Sequence, residues 1–185
     1  MPRQVFLFDR PTRFVAGTVG QPGDRTFYLQ ASDEAGRTIS VALEKTQVQV
    51  LADRMSELLD EVADRATVVV PPDADADVDD LEPLTAPVDE EFRVAAMGLA
   101  WDGEEDAVVV EAVAAGEEPI EEDVILSDSD EGPDALRVTI TPVAARAFVA
   151  RARRVIAAGR PSCPLCSLPL DPAGHVCPRQ NGYRR

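Results

Sequence analysis

The chain is short of the residues that most often perform chemistry. Its 185 residues include one histidine, three cysteines, one tryptophan and two tyrosines. A Ser-His-Asp or Cys-His nucleophile needs an imidazole to accept its proton. The single His175 lies among the cysteines, where metal binding is the better use for it. No Walker A or Gly-x-Gly-x-x-Gly stretch is present, so no phosphate cradle of backbone amides is expected. No apolar run approaches the roughly 18 residues of a membrane-spanning helix. The opening MPRQVFLFDRP is interrupted by Asp9, too early for the apolar stretch of a signal peptide. The expectation is a cytoplasmic protein with no membrane association. An odd number of cysteines in such a protein argues against a disulfide framework.

Acidic charge is plentiful, with 34 Asp and Glu against 18 Lys and Arg and a net charge of −16. It is not spread evenly. Residues 1–70 carry a net of −2, residues 71–134 a net of −22 and residues 135–185 a net of +8. Nucleic acid would be repelled by most of this surface. The basic end and the acidic middle suggest partners or intramolecular pairing. Asp75, Asp77 and Asp79 mimic the start of an EF-hand, but Asp80 replaces the required glycine and Ala86 the bidentate glutamate.

Periodicity organises the rest. Segments 5–8, 13–19, 26–31 and 38–43 read as strands separated by Gly, Pro and Asp turns. Val48, Leu51, Ala52, Met55, Leu58, Leu59 and Val62 recur at helical spacing and predict a helix over 46–64. Thr46 and Gln49 suggest a capping box at its start. Segments 92–101, 107–114 and 136–140 are further strands. Thr141-Pro142 then starts a helix that ends near Gly159. At an offset of 97 residues, Val41, Leu43, Leu51 and Arg54 match Val138, Ile140, Phe148 and Arg151, which predicts an internal repeat. The expected fold is α+β: two β-hairpin–strand–helix repeats with mainly antiparallel sheet and a small zinc-ribbon-like tail. The units are 1–70, an acidic Pro-rich linker 71–90, 91–160 with an acidic insertion at 115–134, and the tail 161–185.

That tail holds the strongest chemical signal, Cys163-Pro-Leu-Cys166 followed by His175-Val-Cys177. Zinc takes about four nitrogen or sulfur donors in a tetrahedron. A C-x2-C knuckle aims two sulfurs at one point, and residues two apart on a strand share a face. Asp171-Pro172-Ala173-Gly174 has type I turn chemistry and would fold the second pair onto the first. Cys163, Cys166, His175 and Cys177 are therefore the candidate ligands of a structural zinc. A CxxC redox pair is the rival reading. Arg146, Arg151, Arg153, Arg154, Arg160 and Arg179 form a candidate basic surface for an anion, RNA or acidic partner.

The stretches FLFDRPTRFVAGTVG and RTFYLQASDEAGRTISVALEK, with the tail CPLCSLPLDPAGHVCPRQNGYRR, resemble an uncharacterised family of actinobacterial proteins of similar length. The resemblance covers nearly the whole chain. It implies a soluble protein and assigns no catalytic residue. Three functions remain open: a non-catalytic binding or adaptor protein with a structural zinc and a protein partner, an enzyme or enzyme subunit in phosphate-ester or small-molecule metabolism with a pocket between the repeats, and nucleic-acid binding through the Arg-rich end.

Overall fold

A computed structural model describes residues 3–65, 68–72, 80–116, 120, 124–129, 131–159, 163–168, 170 and 174–179. The strands are β1 (Val5–Asp9), β2 (Arg13–Gln21), β3 (Asp24–Ser32), β4 (Thr38–Leu43), β5 (Glu90–Asp102), β6 (Ala107–Ala114) and β7 (Ala135–Ile140). Helix α1 (Lys45–Arg65) follows β4 and α2 (Pro142–Ala157) follows β7. The fold is α+β, with one mixed, mostly antiparallel sheet ordered β1-β7-β6-β5-β4-β3-β2. Strands β2–β3–β4 form one antiparallel meander and β5–β6–β7 another. Parallel β4–β5 pairing joins them, and β1 runs parallel to β7 at one edge. Each meander leads through one residue into a helix, and β4 and β7 begin and end 97 residues apart.

This order cannot lie flat. Strands β1 and β2 stand at opposite ends of it, yet only residues 10–12 connect them. Four Cα–Cα steps of ~3.8 Å span at most about 15 Å. Six flat inter-strand spacings of ~4.8 Å would need about 29 Å. The sheet must coil to bring its ends together, and β5 is where it turns. Its start pairs with β4 at Ser40↔Glu90 and Ala42↔Arg93, while Val94 to Asp102 pair with β6 after a register shift. Contacts across the ends confirm the closure. Arg37, from the β3–β4 loop, donates to the Leu7 carbonyl (2.6 Å) and lies over the Phe8 ring.

The apolar stripe of α1 is buried at Val48, Leu51, Ala52, Met55, Leu59 and Val62, as its spacing predicts. Its start differs from expectation. The amide of Glu44 donates to Gln47 Oε1 (2.8 Å), so the side-chain cap lies two residues before Thr46 and is one half of a capping box. Helix α2 starts as expected, with Thr141 Oγ1 accepting from the Ala144 amide and Pro142 in the first turn. The Phe148 ring stacks on Phe14 of β2 at 4.8 Å. At the other end of α2, Arg25 donates to the carbonyls of Val155 and Ala158, a cation placed at the negative end of the helix dipole.

Two irregular segments are strapped onto the sheet. Residues 80–87 fall in the stretch expected to be an exposed linker. Instead Leu84 is buried on Gly17, whose missing Cβ would lie 2.5 Å from Leu84 Cδ2. The buried Gln30 carboxamide bonds the Thr85 backbone both ways, accepting from its amide (2.7 Å) and donating to its carbonyl (3.0 Å). Asp80 bridges Arg13 and Arg151. Residues 124–129 form the second strap. Ile125 and Leu126 lie over Gly98, and the Leu126 amide donates to Glu111 Oε1. Glu111 is fully buried and also accepts from Arg3 (2.6 Å) and Arg137 (2.5 Å). Those guanidiniums in turn hold the carbonyls of Val124 and Ser127.

Composition marks both segments as solvated. Their anchors are a glycine and one buried Gln or Glu far away in sequence. Gly17→Ala should therefore destabilise the protein by about 1–3 kcal/mol through overpacking. Adding Leu84→Ala should remove that penalty, leaving the double variant no less stable than Leu84→Ala alone in urea unfolding. Glu111→Ala leaves Arg3 buried without its counter-charge and should cost about 3–5 kcal/mol in the same measurement.

Candidate metal centre

The Cys163–Cys166 turn is built from local hydrogen bonds. The Ser167 amide donates to the Cys163 carbonyl (2.9 Å), and the Cys163 amide donates to the Leu168 carbonyl (2.7 Å). Ser167 takes φ +62°, a left-handed conformation that reverses the chain directly after the second cysteine. The amides of Leu165 and Cys166 point at the Cys163 sulfur. Amide dipoles aimed at a sulfur favour its thiolate, the form that binds metal.

On the other arm, Gly174 takes φ +120° immediately before His175. The turn expected at Asp171, Pro172 and Ala173 lies outside the described residues. The second pair nevertheless lies against the first. One donor atom from each of Cys163, Cys166, His175 and Cys177 lies within 4.8 Å of every other. Cys163 and Cys177 sulfurs are 3.9 Å apart, and Cys166 Sγ is 3.2 Å from His175 Nε2.

These distances fit a single ion. Tetrahedral zinc with bonds of ~2.3 Å to sulfur and ~2.05 Å to nitrogen has edges of about 3.8 Å between sulfurs and about 3.5 Å between sulfur and nitrogen. A disulfide would need ~2.05 Å between sulfurs, and all three cysteines are free. Cys163 and Cys177 are buried, while Cys166 and His175 are half-buried. The cluster can therefore hold a metal ion with four protein donors.

The thiols are not equivalent. The amides of Cys166 and Leu165 bring the Cys163 thiol down to about 6. Removal from water, followed by the neighbouring thiols, pushes the Cys166 thiol up.

The arginines predicted as a basic surface separate into distinct groups. Arg146 and Arg151 are buried at 2% and 6% exposure, which corrects the expectation that they face a partner. Arg146 donates to the Pro71 carbonyl, Ser56 Oγ and Asp60. Arg151 donates to the Ala16 carbonyl (3.0 Å), the Glu82 carbonyl (2.6 Å) and Asp80. Arg153, Arg154 and Arg179 are exposed, and Arg160 lies outside the described residues. Pattern reading placed Arg146 and Arg151 on a solvated helix face. Their partners come from segments 69–135 residues away, and no local signal reveals them. Of the EF-hand mimic, Asp75, Asp77 and Asp79 lie outside the described residues, and Asp80 is an arginine partner.

A coiled mixed sheet with two helices and a C-terminal Cys3His cluster thus defines an α+β protein able to bind a metal ion. The chain belongs to the DUF3090 family, described as proteins of unknown function, whose model matches residues 6–177. That match runs from β1 through Cys177, so the cluster lies within the family's extent. No curated protein and no solved structure matches the chain. No helix is long and apolar enough to cross a membrane among the described residues.

In the metal-free chain, thiolate absorbance followed against pH should show one cysteine ionising near pH 6, lost in Cys163→Ser. Cys166 should ionise above the ordinary thiol range. The sign follows from the depressed value. Stabilisation from the Cys163 thiolate is complete above the ordinary thiol range and is lost as pH falls through about 6.

Proposed function

We propose that the chain is a non-catalytic binding or adaptor protein whose Cys163, Cys166, His175 and Cys177 hold a structural zinc ion. The observation that carries this reading is the convergence of four soft donors within 4.8 Å. Three thiolates and an imidazole suit zinc better than the oxygen-seeking cations. Four protein donors fill a tetrahedron and leave no position for a reactive water, which makes the role structural rather than catalytic. A tail this small has little core of its own, and metal ligation supplies folding free energy in its place.

The binding role rests on what surrounds the cluster. Leu165, Leu168 and Val176 are exposed large apolar residues between and beside its ligands, and Arg179 is exposed next to them. Metal ligation would fix their arrangement and so present a surface to a protein partner. A reducing, cytoplasmic compartment suits three free thiols held at neighbouring positions. The two meander–helix halves read as a duplicated unit, which gives the fold its internal repeat.

Elemental analysis of protein purified without chelator tests the site. One zinc per chain is expected, falling well below one in Cys163→Ser, with the body still folded by far-UV circular dichroism. Metal-free protein with an ordered tail would overturn the zinc reading. The adaptor reading would be overturned by turnover of a metabolite by the isolated chain.

A further inference from the structure

A cavity of about 180 Å³ lies where the two halves meet. Its apolar side is the stacked pair Phe14 and Phe148 with Ile140 and Ala147. Its polar side is Arg13, Arg151 and Asp80. One half contributes β2, the other contributes β7 and α2, and the first strap contributes Asp80. We propose that this cavity is a binding site for a small monoanion with an apolar body, a ring or branched chain bearing one carboxylate.

Size comes first. A cavity of about 150 Å³ lined by apolar groups accommodates benzene. The present volume leaves room for a ring and one polar substituent. Charge decides which substituent. Two guanidiniums share a single carboxylate, that of Asp80, so among the described residues the polar side carries one unmatched positive charge. The Arg151 guanidinium is held below its ordinary value, first by burial and then by the positive charges of Arg13 and Arg154, against the opposing pull of Asp80.

Hydrogen-bond capacity points the same way. A guanidinium has five N–H donors. The bonds of Arg13 use four, to both Asp80 oxygens and to the Glu82 and Pro83 carbonyls. Arg151 also uses four, to Asp80 twice and to the Ala16 and Glu82 carbonyls. Among the described residues, one donor remains on each. A carboxylate offers two acceptor oxygens and can bridge two such donors. An amine would meet the unmatched positive charge, and a neutral alcohol would leave that charge unanswered.

Calorimetric titration of the full chain with benzoate, benzyl alcohol and benzylamine tests the site. Benzoate should bind saturably, at least about ten-fold tighter than benzyl alcohol, and benzylamine should be weakest. Ala147→Leu fills the cavity without touching a charge. It should weaken benzoate at least about ten-fold with the melting temperature retained. Arg13→Gln should remove the preference for benzoate over benzyl alcohol. Failure of benzoate to saturate at tens of millimolar would overturn the proposal. So would equal affinity for benzylamine, or an Ala147→Leu variant that binds benzoate as the unaltered chain does. None of these results depends on the metal centre.

Discussion

A guanidinium taken out of water must find acceptors inside the protein, because an unmet donor in the interior costs more than the bond would have gained. Arg3, Arg146 and Arg151 are all buried, and Arg137 is nearly so. About half of their bonds go to backbone carbonyls outside the helices and strands: Pro71, Asp80, Glu82, Val124, Ser127 and Pro133. The arginines therefore determine where the irregular parts of the chain run. They also place the acidic middle of the sequence, since Asp80, Glu111 and Asp128 are their carboxylate partners. The charge polarity of the chain is in part internal neutralisation.

The same device serves both halves in different chemistry. On one side Gln30, a neutral carboxamide, grips the backbone of Thr85. On the other side Glu111, a carboxylate, grips the amide of Leu126 with two arginines balancing its charge. Beside each lies a glycine, Gly17 or Gly98, that lets an apolar strap residue sit directly on the sheet. The neutral version needs no counter-ion. The charged version draws in Arg3 from the start of the chain and Arg137 from β7, and so ties three distant segments together.

What could be read from the sequence depended on distance along it. The strands and both helices were legible because alternation and helical spacing are local patterns, and Thr141-Pro142 marked its helix start correctly. The candidate metal ligands were legible because all four fall within 15 residues. Thr46 and Gln49 misled because they fit the hydroxyl-x-x-Gln pattern of a capping box, whereas the cap is made by Gln47 on Glu44, which carries no hydroxyl. The strap at 80–87 was read as solvent-exposed because prolines and acids dominate its composition. What holds it is Gln30, 55 residues away, and the absent side chain of Gly17. Arg151 looked like a surface residue because its acceptor at Ala16 is 135 residues distant. The coil of the sheet was equally hidden, since it follows from a strand order that no single segment encodes.

That strand order has a consequence during synthesis. Strand β1 is made before the other strands, but among the described residues its only ladder partner is β7, with Val5 facing Ala135. At ~5–20 residues per second, on the order of ten seconds separates the two on the ribosome. Over that interval β2, β3, β4 and α1 can assemble from neighbouring segments, while Val5–Asp9 waits as an unpaired apolar strand. Its charged neighbours, Arg3, Asp9 and Arg10, flank it as gatekeepers against wrong pairing. The last of the seven described strands to be translated therefore captures the first.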